Sequence, residues 1–285
     1  MIVAETAAGY QFVTQPDHAA LAGQFADHWG REEFDRPEPF APVVLAAYAH
    51  DDGWRDYDRR PHLDGAGHPV DFRDMPSDVW IDLYDDGIDA VAETDIYAGL
   101  LVSIHGAGLR NQRYGLSAGW PETPPEFEDF VEREHRRQDR LADALLDATD
   151  RSLLTAADRR LLQSLQRSAG VPDDYDGRLW GDYRRLQVWD ELSLAFCLTD
   201  SPPGYDEIGG VPTTGTGAGA TLSITPVDPD TYHVDPYPFD TAPLDGHIPY
   251  RTVDDDTVTD AESLVDAYYD AGRETRPITL VRGEE

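Results

Sequence analysis

The sequence predicts a mainly α fold: a helical bundle over residues 15–200, with a small β-rich appendage formed by the N- and C-terminal segments, 1–14 and 205–285. Three observations predict it. Apolar residues recur at helical spacing in segment after segment between 17 and 198. Short alternating runs occur only near the two ends, at 2–5, 10–13, 221–225, 231–234, 248–253 and 278–281. Composition shifts after Thr199, where Ser201-Pro202-Pro203-Gly204 breaks the pattern and 209–219 holds five glycines.

The individual helices follow from start and stop signals. Residues 17–29 form an amphipathic stretch closed by Gly30, and Pro42 starts a second helix that runs to His50. Residues 53–76, rich in Asp, Gly, Pro and His, read as loop. Ser77 and Asp95 cap helices over 77–93 and 96–110. A loop with Gly115, Gly119, Pro121, Pro124 and Pro125 precedes helices over 126–146 and 155–169, and the last core helix spans 182–198. A helix over 261–271 sits among the C-terminal strands. The two terminal β-rich segments are expected to pair into one small sheet. Gly215-Thr216-Gly217-Ala218-Gly219 lacks the Gly-Lys-Ser/Thr ending of a phosphate loop and reads as linker.

The formal net charge is -33, from 56 acidic and 23 basic residues, and every basic residue is Arg. A carboxylate-rich, lysine-free composition suits a halophilic protein, in which molar salt screens self-repulsion. It argues against nucleic acid or an anionic membrane as partner, since both need a basic face. The single cysteine, Cys197, excludes an internal disulfide and a thiolate metal cluster. No apolar run reaches the roughly 18 residues of a membrane span. Residues 1–12 have no secretory signature, so a cytoplasmic location is expected.

The functional signal lies in polar residues placed where core belongs. His18 shares a stripe with Leu21, Ala22, Phe25 and Trp29, and His50 continues the stripe of Val43, Ala46 and Ala47. His105 falls among Ala98, Leu101, Val102 and Leu109. Asp190 lies between Leu186 and Leu194, with Gln187 one turn before it. Burying one such group unpaired costs several kcal/mol. Four helices that each turn one inward are explained together by a shared cation. Imidazole with carboxylate suits one or two divalent ions among Mn, Fe, Co, Zn and Mg.

His50-Asp51-Asp52-Gly53 resembles the His-Asp-x-Gly element of the HD-domain metal-dependent phosphohydrolases. The resemblance implies an HD-domain-like bundle with metal ligands His18, His50, Asp51 and Asp190, and His105 serving a second ion or the substrate phosphate. It further implies a hydrolase in which a metal-activated water attacks a phosphoester. In that reading Asp52 and Gln187 orient groups around the metal. Arg55, Arg110 or Arg113 binds a small anionic substrate in place of the Lys that often follows the Gly. Trp54, standing at that Lys position, is a candidate stacking residue. The chain is also similar, at 15–22, 50–54, 97–105, 186–198 and 235–239, to an uncharacterised family, the domain of unknown function thirty-eight ninety-one. Two other functions are compatible with the same ligands: an HD-fold iron oxygenase, and a non-catalytic metal-dependent binding or regulatory protein.

Overall fold

Side-chain caps and apolar faces place the helices. The computed structural model describes residues 1–115, 123–147, 153–198, 207–216 and 219–283. The Thr14 hydroxyl accepts from the Asp17 amide and opens α1 (Gln15–Asp27). α2 (Phe40–Ala49) follows a 12-residue connection. α3 (Ser77–Thr94) begins after Pro76, with no side-chain cap. The Asp95 carboxylate caps α4 (Ile96–Arg110), almost every residue of which is buried. α5 (Pro125–Asp147) and α6 (Ala156–Gln166) pack outside α4 and α7, and a Thr155–Asp158 capping box starts α6. α7 (Leu179–Cys197) packs on α1, α2 and α4.

The β structure is larger than the sequence suggests. The chain is about 52% helix and 21% strand, and the strands form one seven-stranded mixed sheet curved into a half-barrel. The expectation of a mainly α, HD-domain-like bundle with a small appendage is therefore corrected: a substantial sheet stands beside the helices. Its strands are β1 (Ile2–Thr6), β2 (Gly9–Val13), β3 (Glu207–Pro212), β4 (Gly219–Asp228), β5 (Thr231–Asp235), β6 (Leu244–Val253) and β7 (Glu274–Arg282), with α8 (Ala261–Asp270) before the last. The order is β1-β2-β6-β7-β5-β4-β3, antiparallel except for the β5–β7 pair. The terminal segments do meet, with Tyr10 opposite Val253 and Phe12 opposite Arg251.

Glycine and proline hid the extra strand length. β3 carries Gly209-Gly210 in a register shift between Ile208 and Val211, and β4 shifts register between Pro226 and Asp228. Pro249 in β6 precedes the 251–253 stretch paired with β2, and Pro277 in β7 precedes the 279–282 stretch paired with β5. Both prolines thus sit where their strand has one ladder neighbour, so the missing N–H breaks no bond. Of the glycine-rich stretch 209–219, residues 209–212 belong to β3, and Gly219, the last residue of the segment read as linker, begins β4. Gly119, Pro121, Gly217 and the 201–204 break lie outside the described residues.

Helices and sheet share one core. Phe25 of α1 and Trp29, two residues past its end, meet Phe239, and Trp29 meets Trp189 of α7, with ring centroids 5.7, 5.8 and 5.7 Å apart. Gly246 of β6 lets Leu21 of α1 and Ile278 of β7 close over it. Arg276 of β7 donates to the Phe196 carbonyl at 2.6 Å, tying the sheet to the end of α7. α1 and α7 are thereby fixed on the sheet. Among the described residues no helix is long and apolar enough to cross a membrane.

Buried Glu134 of α5 accepts from Ser103 of α4 at 2.8 Å. Burial pushes its carboxyl up to about 7, against the pull of Arg137. The folded chain holds this proton more tightly than the unfolded one, whose pKa is near the ordinary 4.5. The associated stability is full below that value and is lost as pH rises through 7, by on the order of 3 kcal/mol. Denaturant melts of wild type and Glu134→Gln from pH 5 to 8 should show the wild type losing stability relative to the variant. A constant difference across that range would contradict the assignment.

Candidate metal centre

The centre is built where α1, the end of α2 and α7 meet. His18 lies one turn into α1. His50 is the C-terminal cap of α2, and Asp51 leaves helical geometry at φ -115°, ψ 21°, so adjacent residues turn their side chains to one point. Gly53 lets the turn pack closely against α3. A Cβ there would strike the Leu83 carbonyl of α3, and a Cβ on Gly87 would strike Gly53, so two bare backbones pack together. That packing brings Tyr84 of α3 to Asp51, whose Oδ1 accepts from the phenol at 2.8 Å.

Hydrogen bonds behind the imidazoles fix how they present themselves. His50 donates from Nδ1 to the Ala47 carbonyl at 2.8 Å. Ser193 spends its proton on the Asp190 carbonyl at 2.9 Å, so its oxygen accepts from His18 Nδ1 at 2.8 Å. Both Nε2 atoms therefore turn inward as potential ligands, 3.3 Å apart. Asp51 Oδ2 stands 3.7 Å from His18 Nε2 and 3.5 Å from His50 Nε2. Asp190 Oδ1 stands 3.1 and 3.7 Å from the same two nitrogens. Ligands sharing an ion at 2.0–2.2 Å are separated by about 3.0–3.5 Å, so these spacings suit a common cation.

His18, His50 and Asp51 form a buried cluster that could hold a metal ion. The electrostatics call for positive charge at that point. Burial alone would lower His50, but the carboxylates of Asp51 and Asp190 outweigh it and raise its pKa to about 9. Burial would raise Asp190, yet the surrounding imidazoles of His18, His50 and His105 hold its carboxyl well below the usual range. A proton on imidazole there balances the carboxylates as a cation would. His105 differs: burial pushes it down to about 3, its Nε2 lies 3.8 Å from Asp190 Oδ2, and its buried Nδ1 has no hydrogen-bond partner.

A cavity of about 420 Å³ opens on this cluster. Its polar wall includes His18, Asp51, His105 and Asp190, with Arg110 and Arg113. The Arg110 guanidinium lies between the rings of Trp80 and Phe127, 4.0 and 4.1 Å from their centroids. Arg113 Nη2 is 3.8 Å from Asp190 Oδ2. Gln112, Arg113 and Tyr114 all have left-handed backbone, φ 50°, 47° and 54°. Each such non-glycine residue costs roughly 1–3 kcal/mol, the kind of strain that collects at functional sites. Gln15 also lines the cavity, and its buried Oε1 has no partner.

The structure thus gathers His18, His50, Asp51, Asp190, His105, Arg110 and Arg113. It does not bring Asp52, Trp54, Arg55 or Gln187 to the cavity lining. Asp52 pairs with Arg55 at the surface. Trp54 is buried edge-on against Tyr57 and Tyr84. Gln187 donates to Tyr183 at 2.8 Å. Sequence reasoning missed Tyr84 and Ser193. Ser193 stands three residues after Asp190 on the same helix, a spacing that marks it as a partner on that face.

The family described as Protein of unknown function (DUF3891) matches residues 1–255. The chain belongs to this family. No curated protein and no solved structure matches it. All the residues gathered at the cavity fall within the DUF3891 segment, as do the sheet strands β1 to β6.

Protein purified without chelator should carry at least one transition metal, measured by elemental analysis. Asp51→Ala and Asp190→Ala should each lose it, by about tenfold or more in occupancy under matched dialysis. Full retention in both variants would contradict a centre at this point.

Proposed function

We propose that this chain is a metal-dependent hydrolase acting on small phosphoesters. One observation carries the reading: two imidazoles with Nε2 turned inward and two carboxylates share a point at the inner wall of a cavity whose other polar wall is arginine. His18, His50, Asp51 and Asp190 would hold the ion, which supplies Lewis acidity and lowers the pKa of a coordinated water. The order of these residues along the chain resembles that in the HD-domain phosphohydrolases, which supports the same chemistry.

The chain's own groups then have defined tasks. Ser193 and the Ala47 carbonyl keep the imidazoles in the ligating tautomer, and Tyr84 orients Asp51. Arg110 and Arg113 neutralise an anionic group entering the cavity, and arginine can do so with paired N–H donors. His105, neutral at physiological pH, offers its nitrogens to a phosphate oxygen or to a second ion. Trp80 and Tyr84 give the substrate's remaining part a flat apolar wall.

The test incubates metal-reconstituted protein with nucleotides and phosphomonoesters under nitrogen. Phosphate release is expected with redox-silent ions as well as with Mn or Co, and His50→Ala should lower it ~100-fold or more. Arg113→Gln should lower turnover by about 10²-fold, as loss of a donor to developing charge does. No turnover under nitrogen, with oxygen uptake that requires iron, would replace hydrolysis by oxygenase chemistry.

A further inference from the structure

A second cavity, of about 410 Å³, lies between the α1–α2 connection, the start of α7 and the β3–β4 turn. It is lined by Asp35, Arg36, Glu38, Arg178, Arg185 and Gly215. It shares no lining residue with the cavity at the metal centre. Three arginines meet here in a chain where carboxylates outnumber arginines 56 to 23.

Arg185 is the unusual member. It is 1% exposed, on the third turn's approach along α7. Its Nη1 donates to Asp182 Oδ1 at 2.9 Å, and Asp182 also accepts from the Tyr97 hydroxyl at 2.7 Å. Its Nε and Nη2 are buried and have no hydrogen-bond partner. These two nitrogens are not an arbitrary pair. In a planar guanidinium Nε–H and Nη2–H point the same way along one edge, and that edge takes two oxygens of a carboxylate or phosphate in parallel bonds. Asp182 occupies the other side of the group, and no described protein group meets the oxyanion-binding edge, which is buried in the unliganded chain. Leaving charged donors buried and unmet is costly, and an anion on that edge removes the cost.

The surroundings fit such a ligand. Arg178 donates to the Glu38 carbonyl at 3.1 Å, a neutral acceptor that leaves its charge uncompensated by that bond. Arg36 is exposed and rests over the Phe40 ring at 3.9 Å. Asp35 and Glu38 are exposed, so water and salt screen them far more than the buried Arg185.

We infer that this cavity is an oxyanion site, separate from the metal centre, in which Arg185 grips a carboxylate or phosphate group through Nε and Nη2 while Arg178 and Arg36 close over it. The site does not depend on the hydrolase reading.

The test titrates inorganic phosphate, and separately malonate, into full-length chelator-treated protein by calorimetry at constant ionic strength in chloride. At least one anion should bind. The double variant Arg36→Gln/Arg178→Gln leaves the buried Arg185–Asp182 pair intact and should weaken that binding about tenfold or more. Arg185→Met, checked for folding by circular dichroism, should abolish it. Arg113→Gln, which weakens any separate phosphate binding at the other cavity, should leave the Arg185-dependent binding unchanged. Phosphate-only or malonate-only binding identifies the group recognised. Binding of neither anion at millimolar concentration, an affinity unmoved by the double variant, or a loss in Arg113→Gln as large as in the double variant would overturn the inference.

Discussion

Two carboxylates and two imidazoles with committed Nδ1 protons cannot share a buried point without positive charge between them. That requirement organises the molecule. Asp51 and Asp190 are buried, and so are His18 and His50. With His50 N–H given to Ala47 and His18 N–H given to Ser193, the inward atoms are all lone-pair donors or carboxylate oxygens. Burial strengthens these interactions because the local dielectric is lower than that of bulk water. A cation relieves the arrangement; protonated His50 does so in its place.

Much of the fold can be read as scaffolding for that point. α1 is seated on the sheet through Leu21 over Gly246, and the end of α7 is held by Arg276 from β7. The sheet therefore fixes the two helices that carry His18 and Asp190. Gly53 against Gly87 sets the other side, bringing α3 and Tyr84 to Asp51. The left-handed run 112–114 ends α4 so that Arg113 reaches back to Asp190. Substituting Gly53 would disturb the metal point without touching a ligand.

His18, His50, His105 and Asp190 stood out in the sequence because each put a polar group at a core position of an apolar stripe, whereas Asp51 entered only through the His-Asp-x-Gly resemblance. Helical spacing says which side of a helix a residue occupies, and His18, His50, His105 and Asp190 all lay on the inward side. Residues next to the pair, singled out through the resemblance, do not line the cavity. Asp52 and Arg55 follow the ligands closely in sequence, but the 52–54 turn rotates them to the surface, where they pair with each other. Trp54 was filled into the core, where its ring meets Tyr84. Gln187 shares a helix with Asp190 yet finds Tyr183 one turn back. Runs in six of the strands stood out in the sequence, including β1 at one edge of the sheet, while β3 at the other edge did not. Alternation marks a strand only while residues keep the ladder, and bulges at 208–211 and 226–228 with prolines at 249 and 277 interrupt the pattern. Pairing of residues far apart in the chain leaves no local periodicity at all.

An acidic surface of this density can pick up metal ions anywhere, so the decisive property is the identity of the ligands around the bound ion. X-ray absorption spectroscopy of protein loaded with one equivalent of zinc or manganese measures it directly. The account predicts a shell containing two imidazole nitrogens together with carboxylate oxygens, at about 2.0–2.2 Å. A shell of oxygen alone, with no imidazole scattering, would place the ion on surface carboxylates and contradict a centre at His18, His50, Asp51 and Asp190.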